Sequence, residues 1–132
     1  MNTEEEAVAA VLTRYEAALN ASDTEAVMRL YAPDGVFMPQ HFASSVGADA
    51  VRKAYDGVFA AIKLTVKFAI AEVHQTAPEW AFARTNSAGT VRVNATGASS
   101  AEANQELFVF QKIGGDWKIA RYCFSTTNPA RA

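Results

Sequence analysis

Three side chains in this sequence have the chemistry to move or hold a proton. Tyr15 stands in the run Val8, Val11, Leu12, Tyr15, Leu19, whose three- and four-residue steps mark one face of a helix. A phenol on that stripe is buried, and a buried phenol needs a hydrogen-bond partner, either a ligand or a backbone group of the core. Glu106 opens the segment Glu106-Leu107-Phe108-Val109-Phe110. On the face of Phe108 and Phe110, desolvation raises its pKa, so that it can donate a hydrogen bond or act as a base near neutral pH. An ion pair with Arg84, Arg92 or Arg121 is the alternative. Alternation does not decide between them, because both sets of residues in that segment are apolar. His41, two residues beyond Pro39, titrates in the range a general base needs. It returns to the strand face of Pro39 about 6–7 Å along the chain, unless Pro39 ends the strand and leaves it in a solvated loop. His74, beside a turn, reads as a surface residue. Cys123 is the single cysteine, no Cys/His spacing suits zinc, and no motif calls for a metal or an organic cofactor.

These residues must be positioned by two kinds of element. The first third is helical: one helix opens at a Thr3/Glu6 capping box, and a short second one at Ser22/Glu25, with Val27, Leu30 and Tyr31 on its apolar side. A short strand, Val36-Phe37-Met38, stops at Pro39. A third helix follows Gly47, with Val51, Tyr55, Val58, Phe59 and Ile62 on one side. From Lys63 the texture is β, with strands near 64–75, 79–94, 102–113 and 116–126, the last two joined at Gly114-Gly115-Asp116. Helices first and antiparallel strands afterwards imply an α+β fold. The two apolar sets at 106–110 require cover on both sheet faces. Three helices cover one face, so a second copy of the chain is expected on the other, making a homodimer.

The 132 residues carry a net charge of −2, with 50% hydrophobic and 20% charged residues, a composition that suits one ordered domain spanning 1–132 rather than a disordered chain. No Lys/Arg cluster offers a nucleic-acid footprint. No apolar run reaches membrane-spanning length. The acidic start, Met1-Asn2-Thr3-Glu4-Glu5-Glu6, is unlike a secretory signal, so a soluble, cytoplasmic domain is expected.

Arg14-Tyr15-Glu16-Ala17-Ala18-Leu19-Asn20-Ala21-Ser22-Asp23 is similar to the first helix and turn of ketosteroid isomerases. More broadly, it resembles the nuclear transport factor 2-like superfamily, which includes the SnoaL-like polyketide cyclases. Leu30-Tyr31-Ala32-Pro33-Asp34-Gly35-Val36, the Gly47-x-x-x-Val51-x-x-x-Tyr55 helix and Trp117-Lys118-Ile119 fit the same order. The resemblance covers nearly the whole chain. It implies a cone, three helices packed into a strongly curved, mainly antiparallel sheet, with an apolar pocket at the wide end. It further implies that Tyr15 donates to a developing enolate oxygen and that Glu106 stands near a second donor, an aspartic acid kept protonated in that family. Arg84 and Asn86, which alternate with Trp80 and Phe82, would face the pocket. A guanidinium there favours an anionic or carbonyl-bearing ligand, unless Arg84 pairs with Glu106. Met28, Tyr55, Phe59, Phe108 and Tyr122 would be walls, although a bulge would exchange the Tyr122/Phe124 set with its neighbours.

One departure matters. The family's general base is an aspartate at the end of the first short strand, and an ungapped alignment of Leu30-Tyr31-Ala32 puts Pro39 there. Proline cannot move a proton, so ketosteroid isomerisation by the family mechanism is not expected, and His41 is the candidate replacement. Three readings follow: a cofactor-independent isomerase or cyclase acting on a small apolar carbonyl compound, a non-catalytic ligand-binding or dimeric module, and an association domain of larger rings.

Overall fold

Asn2 rather than Thr3 caps the first helix, α1 (Thr3–Asn20). Its side chain accepts from the Glu5 N–H at 2.7 Å, and the Glu5 carboxylate accepts from the Asn2 N–H at 3.1 Å. The capping box thus sits one residue earlier than the Thr3/Glu6 frame. Asparagine caps as well as threonine, and in this frame the second Glu5 oxygen also accepts from the Gln75 backbone N–H at 3.0 Å. Asp23 caps α2 (Thr24–Leu30) by accepting from the Ala26 N–H. Ser22, at φ 52°, belongs to the turn before it, so the expected Ser22/Glu25 box does not form.

In the computed structural model, which describes residues 1–128, the remaining elements are β1 (Tyr31–Met38), β2 (Ser45–Val46), α3 (Ala48–Ala61), β3 (Ile62–Ala77), β4 (Trp80–Val93), β5 (Ser99–Ile113) and β6 (Asp116–Thr126). They form one six-stranded sheet in the order β2-β1-β6-β5-β4-β3. Its pairs are antiparallel except β1 with β6, which is parallel. The first strand begins five residues earlier than Val36. It tolerates Pro33 because its register with β6 is interrupted between Tyr31 and Val36, where no ladder bond is lost. The architecture is α+β, three helices on a mixed sheet that does not close.

The sheet is strongly curled. α3 packs on β1 and β2 at one edge and on β3 at the other, which a flat sheet would not allow. Gly89 sits where β4 approaches β3 most tightly: a Cβ there would lie 1.9 Å from the Thr65 carbonyl oxygen and 2.8 Å from Val66 Cα. Only glycine fits that approach.

Pairing of small with large residues sets which side of each strand is inside. Ala81 faces Phe110 across the β4–β5 ladder, Ala83 faces Phe108, and Thr85 faces Glu106. All six are buried. On the outer face Trp80 and Leu107 remain exposed, so this chain does not itself cover both faces. In β6 a register shift near Ala120 brings Trp117 and Ile119 inward and then Tyr122 as well. The bulge thereby satisfies both alternating sets. No helix among the described residues is long and apolar enough to cross a membrane.

Because the Gly89 contact is with backbone, a side chain there must push β3 and β4 apart. Gly89→Ala is expected to lower unfolding free energy by about 1–3 kcal/mol, measured as a lower urea midpoint with an unchanged slope. An unchanged midpoint would show that the strand pair relaxes freely.

Candidate functional site

Between the concave face of the sheet, α3 and the end of α1 lies a cavity of about 830 Å³, lined mainly by apolar side chains. Its apolar wall includes Phe37, Val58, Leu64, Val66, Phe68 and Phe124, and Phe42 stands at the exposed loop beside it. Polar groups break this lining, among them the phenols of Tyr15, Tyr55 and Tyr122, the carboxylates of Glu102 and Glu106, and Asn104, with Glu106 the buried carboxylate of the two.

The position of Tyr15 follows from α1 being tied to β3 and to the β5–β6 hairpin. β3 is an edge strand, and α1 supplies the partners its backbone lacks. The Asn20 carboxamide donates to the Val66 carbonyl at 2.9 Å and accepts from the Val66 N–H at 2.8 Å. Glu16 accepts from the Phe68 N–H at 2.6 Å. Near the other end of α1, the Glu4 carboxylate accepts from Lys112 Nζ at 2.9 Å and Trp117 Nε1 at 2.7 Å. The Lys112 and Trp117 bonds hold the Glu4 pKa below its ordinary value.

Tyr15 is 1% exposed, and its Oη lies 2.7 Å from Tyr55 Oη, which in turn lies 2.7 Å from Tyr31 Oη. Donor and acceptor roles along this row of hydroxyls follow from its inner end. Tyr31 does not line the cavity, and its hydroxyl has no other partner among the described residues. A buried O–H without an acceptor is costly, so Tyr31 donates to Tyr55. The single Tyr55 proton then goes to Tyr15, whose hydroxyl stands at the cavity with that of Tyr122 as its further partner. Hydrogen bonds aligned in series polarise one another, which strengthens the last donor. Burial raises the pKa of all four phenols, Tyr15, Tyr31, Tyr55 and Tyr122, so they are neutral donors at physiological pH.

Glu106 lies on the inner face with Phe108 and Phe110 and is 5% exposed. Its Oε1 accepts from Thr85 Oγ1 and its Oε2 from Ser87 Oγ, each at 2.6 Å. Desolvation raises its pKa, and the Ser87 and Thr85 bonds pull against that rise. Its charge also adds to the upward push on Tyr15. The alternative ion pair with arginine is absent among the described residues. Arg84 lies on the outer face of β4 and bonds Glu72, which also accepts from His74 Nε2 at 3.0 Å.

The structure gathers some of the residues read from sequence and disperses others. Tyr15, Tyr55, Tyr122 and Glu106 line the cavity. Arg84 and Asn86 do not: both are exposed on the opposite face, because the inner positions of β4 hold the small residues that fit against Phe108 and Phe110. His41 also stands outside. It is exposed at φ 71° in the loop after β1, its Nε2 2.7 Å from Gln40 Nε2, since Pro39 ends the strand. Phe108 is fully buried behind Tyr122, with ring centroids 4.1 Å apart. Phe59 packs against Tyr55, and Met28 packs on the core from α2. None of these three lines the cavity. Among the described residues no group of three His, Cys, Asp or Glu side chains is placed to hold a metal ion.

Sequence reasoning missed Leu64, Val66 and Phe68, although their alternation with Thr65 and Lys67 is a clear period-two signal. It also missed Thr85, Ser87 and Asn104, which reach the site region only through the β4–β5 register, with Ser87 opposite Asn104.

Comparison with known proteins agrees with this geometry. Among curated proteins none matches the chain. A ketosteroid isomerase-like protein from Erwinia carotovora atroseptica is 37% identical, covering 98% of this chain and 100% of its own, with a TM-score of 0.94. A protein with a cystatin-like fold from Caulobacter vibrioides is 19% identical over 94% of this chain and 89% of its own, with a TM-score of 0.78, a likeness of fold alone. The SnoaL-like domain family matches residues 12–122. With that match over most of its length, the chain belongs to the SnoaL-like domain family, within the nuclear transport factor 2-like superfamily.

Proposed function

We propose that this domain binds a small apolar carbonyl compound and moves a proton on it without a cofactor, as an isomerase- or cyclase-type enzyme. Tyr15, the terminal donor of the phenol chain, hydrogen-bonds the carbonyl oxygen as it gains enolate charge. Glu106 takes the proton from the adjacent carbon and returns it. His41, exposed in its loop, is not part of this mechanism. The observation that carries the reading is that a buried donor and a buried carboxylate with a raised pKa face one apolar cavity. A base should titrate near the working pH, and desolvation moves a carboxyl in that direction.

A second reading is a non-catalytic binding module. Pro39 at the position of the family's base favours it. The partner proposed for either reading is a second copy of the chain, laid across the outer face of β4, β5 and β6. Leu107, 42% exposed, and Trp80, 41% exposed, flank the half-buried Phe82 and Val109 there, an apolar patch that association would cover.

The enzyme reading is tested with β-tetralone, an apolar ketone with acidic protons beside its carbonyl, by following deuterium uptake from heavy water by NMR. The wild type should accelerate exchange. Tyr15→Phe should lower that catalysis about 10²–10³-fold, and Glu106→Gln about 10²–10⁴-fold. Binding of the ketone with exchange at the buffer rate would leave the module reading standing instead.

The Glu106 pKa shift also has a consequence for stability. Its raised folded-state pKa means that the fold prefers the protonated carboxyl. That contribution is complete below the ordinary carboxyl pKa and is lost as pH rises through the raised value. Urea midpoints of the wild type should therefore fall relative to Glu106→Gln as pH rises from the ordinary carboxyl range. Parallel curves would refute the shift.

For the dimer, sedimentation velocity should show a two-chain species that Leu107→Glu converts to one chain, because it would bury a charge at the contact. A wild-type protein that sediments as a monomer at high concentration would rule it out.

A further inference from the structure

β5 points three polar residues, Glu102, Asn104 and Glu106, at the cavity from alternate positions. Glu106 has its hydroxyl donors. Asn104 does not: its Oδ1 is buried and, among the described residues, has no hydrogen-bond partner. The groups next to it are committed elsewhere. Ser87, opposite it on β4, donates to Glu106. Thr126, opposite it on β6, donates its hydroxyl to the Ala103 carbonyl. Gln40, also at the cavity, accepts from the Thr126 backbone N–H.

A buried carbonyl left unpaired is costly, and the side chain that carries this one belongs to the cavity lining. A carboxamide presents an acceptor and a donor side by side. Its complement is a group that can both give and take a hydrogen bond, and a hydroxyl is the simplest. Alternate residues on a strand are about 7 Å apart, which sets the distance from Asn104 to the carbon served by Glu106. Val66, Phe68 and Phe124 make much of the remaining wall apolar, with Gln40, Ser45, Lys53 and Glu102 as its further polar groups.

The geometry points to Asn104 as a second ligand subsite, one that selects carbonyl compounds bearing a hydroxyl about 7 Å from the reacting carbon. This rests on the cavity being the ligand site, as proposed above. The ligand is then polar at two points and apolar between them, as in a hydroxylated two-ring compound.

The probes are β-naphthol, whose hydroxyl stands in for the enolate oxygen at Tyr15, and its analogue with a second hydroxyl on the far ring. Affinities are read from quenching of their fluorescence. The diol should bind the wild type about tenfold more tightly, the value of one well-placed hydrogen bond to an otherwise unpaired buried group. Asn104→Leu should remove that preference while keeping the affinity for β-naphthol within about threefold. Tyr15→Phe should weaken both probes alike. The far-ring methyl ether of the diol, which cannot donate, should lose the gain on the wild type, a measurement independent of how any variant folds. Equal binding of both probes through Tyr15 would overturn the Asn104 subsite and leave the cavity reading intact, as would a preference that survives Asn104→Leu. Failure of both probes to bind would overturn the two together.

Discussion

An edge strand cannot leave its backbone groups unpaired against the inside of a fold, and in this domain a helix meets that demand. Asn20 pairs both backbone groups of Val66, Glu16 takes the Phe68 N–H, and Glu5 takes the Gln75 N–H. Four polar side chains of α1, counting Glu4 at the β5–β6 hairpin, thus hold it to the β3 edge and to the middle of the sheet. Exposed edges invite pairing with other chains, so these contacts also protect β3. Their larger effect is on position. A helix held by packing alone can slide or roll, whereas one bonded at Glu5, Glu16 and Asn20 is fixed in both rotation and height. Tyr15, one residue before Glu16, is held with it.

That constraint explains how polar groups survive in an apolar hollow. Buried hydroxyls and carboxylates are tolerated when each proton has an acceptor. The tyrosine chain meets this condition up to its last member, and the Glu106 cradle meets it at both oxygens. The buried side-chain oxygen left without a partner among the described residues, that of Asn104, belongs to a residue of the cavity lining. Incomplete satisfaction thus falls at the cavity lining, while the surrounding core is paired and packed.

How much of this could be read from the sequence depended on whether the deciding interaction was local. The α1 stripe, the α+β order and the four long strands follow from periodicity and turn residues, whereas residues 31–35, expected ahead of the first strand, are part of β1. The facing of β4 was not. Trp80 and Phe82 look like core residues, and Ala81, Ala83, Thr85 and Ser87 look like filler. The opposite holds because Phe108 and Phe110 on the next strand already occupy the interior volume. Bulk must be summed across the ladder, and the register is not written in one strand alone. The same non-local cause moved Arg84 and Asn86 out of the site. For Tyr122 the deciding feature was the shift near Ala120, an irregularity that alternation cannot foresee. His41 failed for a local reason: Pro39 ends the strand, and the left-handed backbone at His41 turns the chain away.

The absence of an acid at Pro39 also constrains how any chemistry must run. Glu106 is the only carboxylate among the described residues that is both buried and on the cavity. Thr85 and Ser87 hold one oxygen each, so under the proposed mechanism it would act as a fixed base rather than one that swings between two positions on a ligand. A fixed base can remove a proton and restore it only where the ligand carries both carbons within its reach, on the side of the ligand that faces β5. Apolar walls that hold a ligand flat against that strand would then belong to the catalytic geometry, since they supply the alignment that side-chain motion cannot. Under that proposal, β3, the wall anchored by α1, and β5, the wall that carries the carboxylate, would have to keep a fixed separation. The tie between Asn20 and Val66, far from any reacting atom, is one of the contacts that sets it.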